Sequence, residues 1–361
     1  MDLSKAFDVL PHDLLIAKLA AYRFGTKTLH LIYNYLKGRK QRVCIGSHFS
    51  DFLEVLLGVP QGSVLGPLFF NIFINDLLFL VRENICNFAD DNTLYVCGSN
   101  LESVLFRLQA EMEIVLDWFS NNGMVANPDK FQAMFLGTKN NSIGVSLRST
   151  SICSSKSVEL LGVTIDDQLS FYPHIAKVCQ KASAKIKALM RIRNYLTQKQ
   201  ADVIYNSYIM SPFNYCPLVW MFCCKKAHNL INITHHKALC ARLNTFTYNM
   251  DELIQLSKSN YIHTKNLRLM LIEVFKSWNH LNPPIMWEFF TPRENTYNLR
   301  QGISVFIPRA NNSKTLNSFT FRAAMAWNNL PANLKLSDSL NGFRFSLNKI
   351  AIHCKCKNCK F

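Results

Sequence analysis

Phe88-Ala89-Asp90-Asp91 lies between two apolar runs, 84–88 and 93–96, and how it is read decides the fold. The flanking runs have strand character, so the tetrapeptide is placed at a hairpin tip with two carboxylates side by side. Adjacent like charges repel and each resists losing its water, which makes the pair a poor structural choice. As a site for a hard cation it is a good one, because Mg²⁺ takes a few oxygen ligands and leaves the rest of its shell to water and substrate phosphates. The pair alone is a weak signal, since Asp166-Asp167 repeats it.

Outward from the tip, helical and strand patterns alternate. Pro11 opens a helix with Leu14, Leu15 and Leu19 on one face. Segments 42–45 and 49–55 read as strands around a Gly46-Ser47 turn, and a Gly/Pro-rich loop over 58–66 leads to a helix beginning at Pro67. Beyond the tip, apolar residues from Leu101 to Phe119 recur at helical spacing, and 134–136 and 160–165 read as short strands. This order predicts an α+β fold: a split β-α-β antiparallel sheet with helices on one face.

After residue 166 the pattern is helical. Ile175, Val178, Ala182, Ile186 and Leu189 face a core, while Lys177, Lys181 and Lys185 form a stripe four residues apart, extended by Lys187, Arg191 and Arg193. Cations at this spacing without matching acids suit a nucleic-acid backbone. From Met250 onward, apolar helices alternate with Asn-rich loops. Three regions are expected: 1–166, 167–250 and 251–361.

Composition points the same way. Forty Lys and Arg against 24 acidic residues give a net charge of +16, a surplus that suggests a polyanionic partner, nucleic acid before membrane. Hydrophobic residues make up 49%, with 26 Phe, which excludes a disordered chain. The uncharged run 55–75 is interrupted by Gly58, Pro60, Gly62, Gly66 and Pro67, so no membrane span is expected. Twelve Cys without regular spacing, and no segment that reads as a signal peptide, suit a reduced intracellular protein.

Four short blocks carry chemistry, in order: 2–8, 58–63, 88–91 and Asn127-Pro128-Asp129-Lys130. Phosphoryl transfer needs little beyond aligned reactants and neutralised charge. Two Mg²⁺ about 3.5–4 Å apart activate an attacking 3′-hydroxyl and stabilise the leaving oxygen, and Asp2 with Asp90 and Asp91 could supply the carboxylates. Gln61 stands in a glycine-flanked loop where backbone and amide can approach a nucleotide closely. Lys130 fits a proton donor to departing pyrophosphate, although by spacing alone a plain surface lysine is the simpler reading.

Together these blocks resemble the palm motifs of reverse transcriptases, specifically those of non-LTR, jockey-like retrotransposons. Asp2-Leu3-Ser4-Lys5-Ala6-Phe7-Asp8 is similar to the first catalytic-aspartate motif, and 58–63 to the template and nucleotide-positioning loop. Phe88-Ala89-Asp90-Asp91 is similar to the aromatic-Ala-Asp-Asp box, 127–130 to the lysine-bearing motif, and Leu160-Leu161-Gly162-Val163 to the primer grip. The resemblance covers 1–165 as palm; Tyr215-Cys216-Pro217-Leu218-Val219-Trp220 and 323–331 look like the thumb and C-terminal region of the same elements. It implies an RNA-directed DNA polymerase acting on an RNA template, a DNA primer or target and dNTPs. The metal ligands would be Asp2, Asp90 and Asp91, holding two Mg²⁺ with Mn²⁺ able to substitute. Lys5 and Ala6 would lie near the triphosphate, Phe7 would be the gate against a ribose 2′-hydroxyl, or else a buried strand aromatic, Gln61 and Gly62 would pack on nucleotide and template, and Leu161 and Gly162 would grip the primer. A nuclear location is implied by the family only.

The fingers region that precedes the first aspartate in this family is absent ahead of Met1, so the expectation for the chain as written is a truncated copy with little or no polymerase activity. The competing reading is a catalytically inactive nucleic-acid-binding remnant. A nucleotide cyclase, another two-metal palm enzyme, explains neither the 58–63 loop nor Lys130. Zinc is not expected: the tail His353-Cys354-Lys355-Cys356-Lys357-Asn358-Cys359 is spaced too tightly for a tetrahedron, and Cys223, Cys224, His228, His235 and His236 read as helix packing.

Overall fold

The computed structural model describes residues 1, 3, 5–137, 143–147, 150–293, 304–350 and 352. The chain divides into two compact units, 1–156 and 157–361, each with its own core.

In the first unit, Pro11 takes an extended conformation and starts α1 (His12–Ala21), which buries Leu15 and Leu19. It is followed by α2 (Thr26–Leu36). The next helix, α3 (Leu65–Ile74), begins two residues before the expected Pro67 because Ser63 Oγ accepts the Gly66 N–H at 3.0 Å. It also stops short of Leu77, which belongs to the four-residue α4 (Leu77–Leu80). The long α5 (Leu101–Asn121) is started by the Asn100 side chain, which accepts the Glu102 N–H, as an N-cap should. Leu15, Leu19, Phe70, Phe73 and Phe119 are almost wholly buried together, each worth about 1.5–3 kcal/mol over exposure.

The strands differ from expectation. Segments 42–45 and 49–55 form a ladder in two pieces: β1 (Lys40–Gln41) pairs β4 (Leu53–Glu54), and β2 (Cys44–Ile45) pairs β3 (His48–Phe49) across Gly46-Ser47. The tip hairpin is β5 (Asn84–Phe88) with β6 (Asp91–Tyr95). A hairpin that the sequence pattern did not reveal follows, β7 (Gly144–Leu147) with β8 (Thr150–Cys153), whereas 134–136 form no strand and only Ala133 makes a bridge, to Ser154.

Segment 160–165 is not one strand but the turn of a hairpin, β9 (Ser157–Leu160) with β10 (Val163–Asp166). Leu161 and Gly162 both have positive φ, +47° and +76°, the requirement of a type I′ turn. Among the described residues the expected split sheet is thus replaced by five two-stranded ladders. The physical reason is that pairing is local: two-residue turns at Gly46-Ser47, Ala89-Asp90 and Leu161-Gly162 join strands to their neighbours in sequence, while Leu3 bridges Ala126.

The second unit is mainly helical. α6 (Tyr172–Ile192) buries Ile175, Val178, Ala182, Ile186 and Leu189 as its periodicity predicts, and helix Lys225–Leu243 packs on it. A further cluster joins helices Ile262–Trp278, Phe319–Asn328 and Leu340–Leu347, with Phe275 stacked on Phe343 at 4.4 Å. No helix among the described residues is long and apolar enough to cross a membrane.

Candidate active site

The β5–β6 turn is closed by the Phe88–Asp91 pair, leaving only Ala89 and Asp90 as loop. Ala89 adopts φ +52°, a left-handed conformation costing a non-glycine residue about 1–2 kcal/mol. It is held there by a net of amides. Asn87 Nδ2 donates to Ala89 O at 3.0 Å and to Asn92 Oδ1 at 2.8 Å, and Asn92 Nδ2 donates to Asp90 O at 3.0 Å. Asn92 is 1% exposed, and the rest of the net, Asn87, Ala89 and Asp90, is half-buried. The two turn carbonyls therefore find partners inside the hairpin, while Asp91 is exposed and Asp90 half-buried at its end. Sequence reading missed this pair; the signal was two Asn placed symmetrically about the tip.

The 58–63 loop is fixed from several sides. Gly58 has φ +79°, and a Cβ there would meet Asp8 backbone oxygen at 2.6 Å, so only glycine fits. Gly58 O accepts from His12 Nε2 at 2.7 Å and Arg39 at 2.9 Å. Gly58 N–H donates to Leu10 O and Val59 N–H to Phe7 O. At the loop's crest, Gln61 Nε2 donates to Asp8 Oδ1 at 2.8 Å, and exposed Gly62 turns with φ +79°.

Segment 1–10 is thus the hub. Besides the 58–61 contacts, Met1 O accepts the Asn92 N–H at 3.1 Å, tying it to the tip hairpin. Leu3 bridges Ala126, one residue before the block that ends in exposed Lys130 on the 3-10 turn Pro128–Lys130. Asp2, the expected third carboxylate, lies outside the described residues. Lys5 is exposed, Ala6 is buried at 2%, and half-buried Phe7 stacks on Phe70 with centroids 4.5 Å apart.

In the second unit, Leu161 and Gly162 form the β9–β10 turn, and Tyr215 buttresses it. The Tyr215 hydroxyl donates to Leu161 O at 2.6 Å, its ring lies under Gly162, and Trp220 Nε1 donates to Tyr215 O. The lysine stripe is partly engaged. Lys177 pairs with Glu159 at 3.3 Å and Lys185 donates to Tyr208 O at 2.8 Å, while Lys181 is exposed. Arg193 does not extend the charged face; it is 8% exposed and donates to Arg242 O, Leu196 O and Gln198.

His235 is buried against the Tyr205 hydroxyl at 3.0 Å. Burial first, then the Lys265 and His236 charges, pull its pKa down to about 4. The tail 353–359 lies outside the described residues, and among those described no three His, Cys, Asp or Glu side chains converge on a metal position.

Residues 1–165 match the family described as reverse transcriptase (RNA-dependent DNA polymerase). The chain is 28% identical over 252 residues to the RNA-directed DNA polymerase from mobile element jockey of Drosophila melanogaster, covering 66% of this chain and 27% of that protein. It is 24% identical over 255 residues to the probable RNA-directed DNA polymerase from transposon BS of the same fly, covering 67% and 28%. Over 146 residues it is 31% identical to a Pol polyprotein from the type-1 retrotransposable element R1 of Nasonia vitripennis, covering 37% and 43%. The matched part of the chain spans little more than a quarter of the two fly proteins.

Proposed function

We propose, from the match of residues 1–165 to the reverse transcriptase family, that the hub formed by segment 1–10 is a nucleotidyl-transfer site that extends a primer 3′-hydroxyl with dNTPs on an RNA template. One observation carries this reading. The backbone of segment 1–10 makes hydrogen bonds to the 58–63 loop and to the Asp90-Asp91 hairpin, and bridges Ala126, which directly precedes the 127–130 block.

The donors suit a hard divalent cation. The Asn87–Asn92 net satisfies the turn carbonyls, so Asp90 and Asp91 present carboxylate oxygens at a fixed tip. Asp90 and Asp91 with Asp2 would hold Mg²⁺, or Mn²⁺ in its place; the metal, when bound, supplies charge neutralisation on the phosphates and a more acidic primer hydroxyl. The chain's own residues do the positioning. Gln61 and Gly62 present an amide and a bare backbone to nucleotide and template base. Phe7, backed by Phe70, offers a ring edge to the sugar. Lys5 and Lys130 face the triphosphate end, Lys130 returning a proton to pyrophosphate. On this reading 1–166 is the palm, with the Tyr215-braced Leu161-Gly162 turn as primer grip; 167–250 is thumb-like, with Lys177, Lys181 and Lys185 toward the duplex backbone, and 251–361 is a C-terminal helical region.

The test is primer extension on an RNA template. Mg²⁺-dependent synthesis that falls about 10³-fold in Asp90→Asn, the scale of several kcal/mol a metal contributes, is the expected result. Salt-dependent RNA binding without extension in the wild-type chain would replace it with a nucleic-acid-binding role.

A further inference from the structure

We propose that the β1–β4 hairpin, residues 40–54, is a docking platform for the unpaired strand of the template, with the Arg42 guanidinium taking a phosphate and Phe49 and Phe52 taking bases. The inference rests on the polymerase reading of the neighbouring site and adds a surface to it.

Arg42 is held between two rings, 4.1 Å from the Phe49 centroid and 4.7 Å from that of Phe52. Its guanidinium N–H groups find no acceptor among the described residues. A cation gripped by two aromatic faces has already lost much of its rotamer freedom, yet its fork of donors remains available. Pre-organisation of this kind lowers the cost of capturing an anion with matching geometry.

The surroundings select the anion. Phe49 and Phe52 are 56% and 58% exposed, an expensive display for a hairpin that lacks a core of its own. Between residues 37 and 54 there are four cations, Lys37, Arg39, Lys40 and Arg42, against the acids Asp51 and Glu54, within a chain of net charge +16. Basic groups interleaved with exposed rings describe a stacking platform for single-stranded nucleic acid, because bases offer their faces only where they are unpaired.

The root of the hairpin says which strand. Val55 N–H donates to Arg39 O at 2.8 Å, and Arg39 in turn donates to Gly58 O at 2.9 Å. The platform is therefore anchored on the loop whose crest carries Gln61. Template not yet copied is the unpaired strand that such a loop handles.

The experiment compares binding of the whole chain to two labelled RNA–DNA duplexes, one blunt and one with a template overhang of about ten nucleotides, within the usual single-strand site size. Wild-type protein is expected to prefer the overhang. The Phe49→Leu/Phe52→Leu variant should lose about 5–30-fold on the overhang, from base stacking, and bind the blunt duplex as before. Arg42→Met should flatten the slope of log affinity against log salt by about 0.7, one single-strand phosphate contact.

Equal losses on both duplexes, or none on either, would overturn the platform. A wild-type dimer in solution that Val43→Asp dissociates, with overhang binding intact, would give the surface to a second copy instead. Mg²⁺-dependent extension without overhang preference counts against the platform alone; absence of both extension and binding counts against the polymerase reading as well.

Discussion

The two tight hairpins, β5–β6 and β9–β10, turn within two residues and are held in opposite ways. At the first, a left-handed Ala89 and a carboxylate fill the loop, and the restraint comes from within: Asn87 and Asn92 face each other across the ladder and bond the turn's own carbonyls. At the second, the type I′ turn places Leu161 in the left-handed region at the same kind of cost as Ala89, Gly162 takes its positive φ freely, and the restraint comes from Tyr215, 54 residues away. The first hairpin spends conformational energy to keep charged groups at its apex and so requires an internal brace. The second carries one strained leucine beside a glycine and takes its restraint from a distant hydroxyl.

Acid should separate the two regions most. His235 titrates at about 4 in the folded chain and near 6.5 when unfolded. Between those values only the unfolded state takes the proton, so stability present above about pH 6.5 declines as pH falls and levels off below about 4. The loss for the second unit is about 3 kcal/mol. The brace of the first hairpin contains only carboxamides, which do not titrate. Hydrogen exchange at pH 7 and pH 4.5, corrected for intrinsic rates, should show protection over 157–166 falling more than over 84–95; equal falls would break the comparison.

Removing the internal brace comes next. Asn92→Ala leaves the half-buried Asp90 carbonyl without its amide donor and takes one of two acceptors from Asn87 Nδ2, at a cost of about 1–3 kcal/mol, measurable by urea denaturation. The same change should cut any Mg²⁺-dependent extension, because the apex carbonyl of Asp90 is released. Tyr215→Phe is the mildest. One exposed hydrogen bond is lost while the four ladder pairs of β9–β10 remain, so urea midpoints stay close to wild type and only the amides flanking Leu161 exchange faster. A large drop in stability there would mean that the second hairpin, too, depends on its brace.

Much of the first region was legible because its signals are local. An apolar alternation broken by Ala-Asp-Asp, a Gly/Pro cluster before a helix and a 3.6-residue period each act within a dozen residues. Segment 160–165 misled for the same reason: a short apolar run reads as strand, and a single Gly162 is a weaker cue to a turn. Asn87 and Asn92 were invisible because polar residues in a strand ordinarily face solvent. Arg193 was taken for surface charge, yet three carbonyl acceptors pull it inside. The Tyr215–Leu161 bond joins positions that no periodicity connects. Separate ladders in place of one sheet were not legible because apolar alternation shows strand character but not the partner, and the pairs at Gly46-Ser47, Ala89-Asp90 and Leu161-Gly162 close locally.

Gly58 has a mechanical consequence. Its α-carbon lies so close to the Asp8 backbone that there is no slack for a side chain, and paired hydrogen bonds flank the contact through Leu10 and Phe7. A joint without slack transmits displacement instead of absorbing it. Tension applied to the 40–54 hairpin through Arg39 would reach the 5–8 turn as movement of one stiff lever, with Gly58 as its pin.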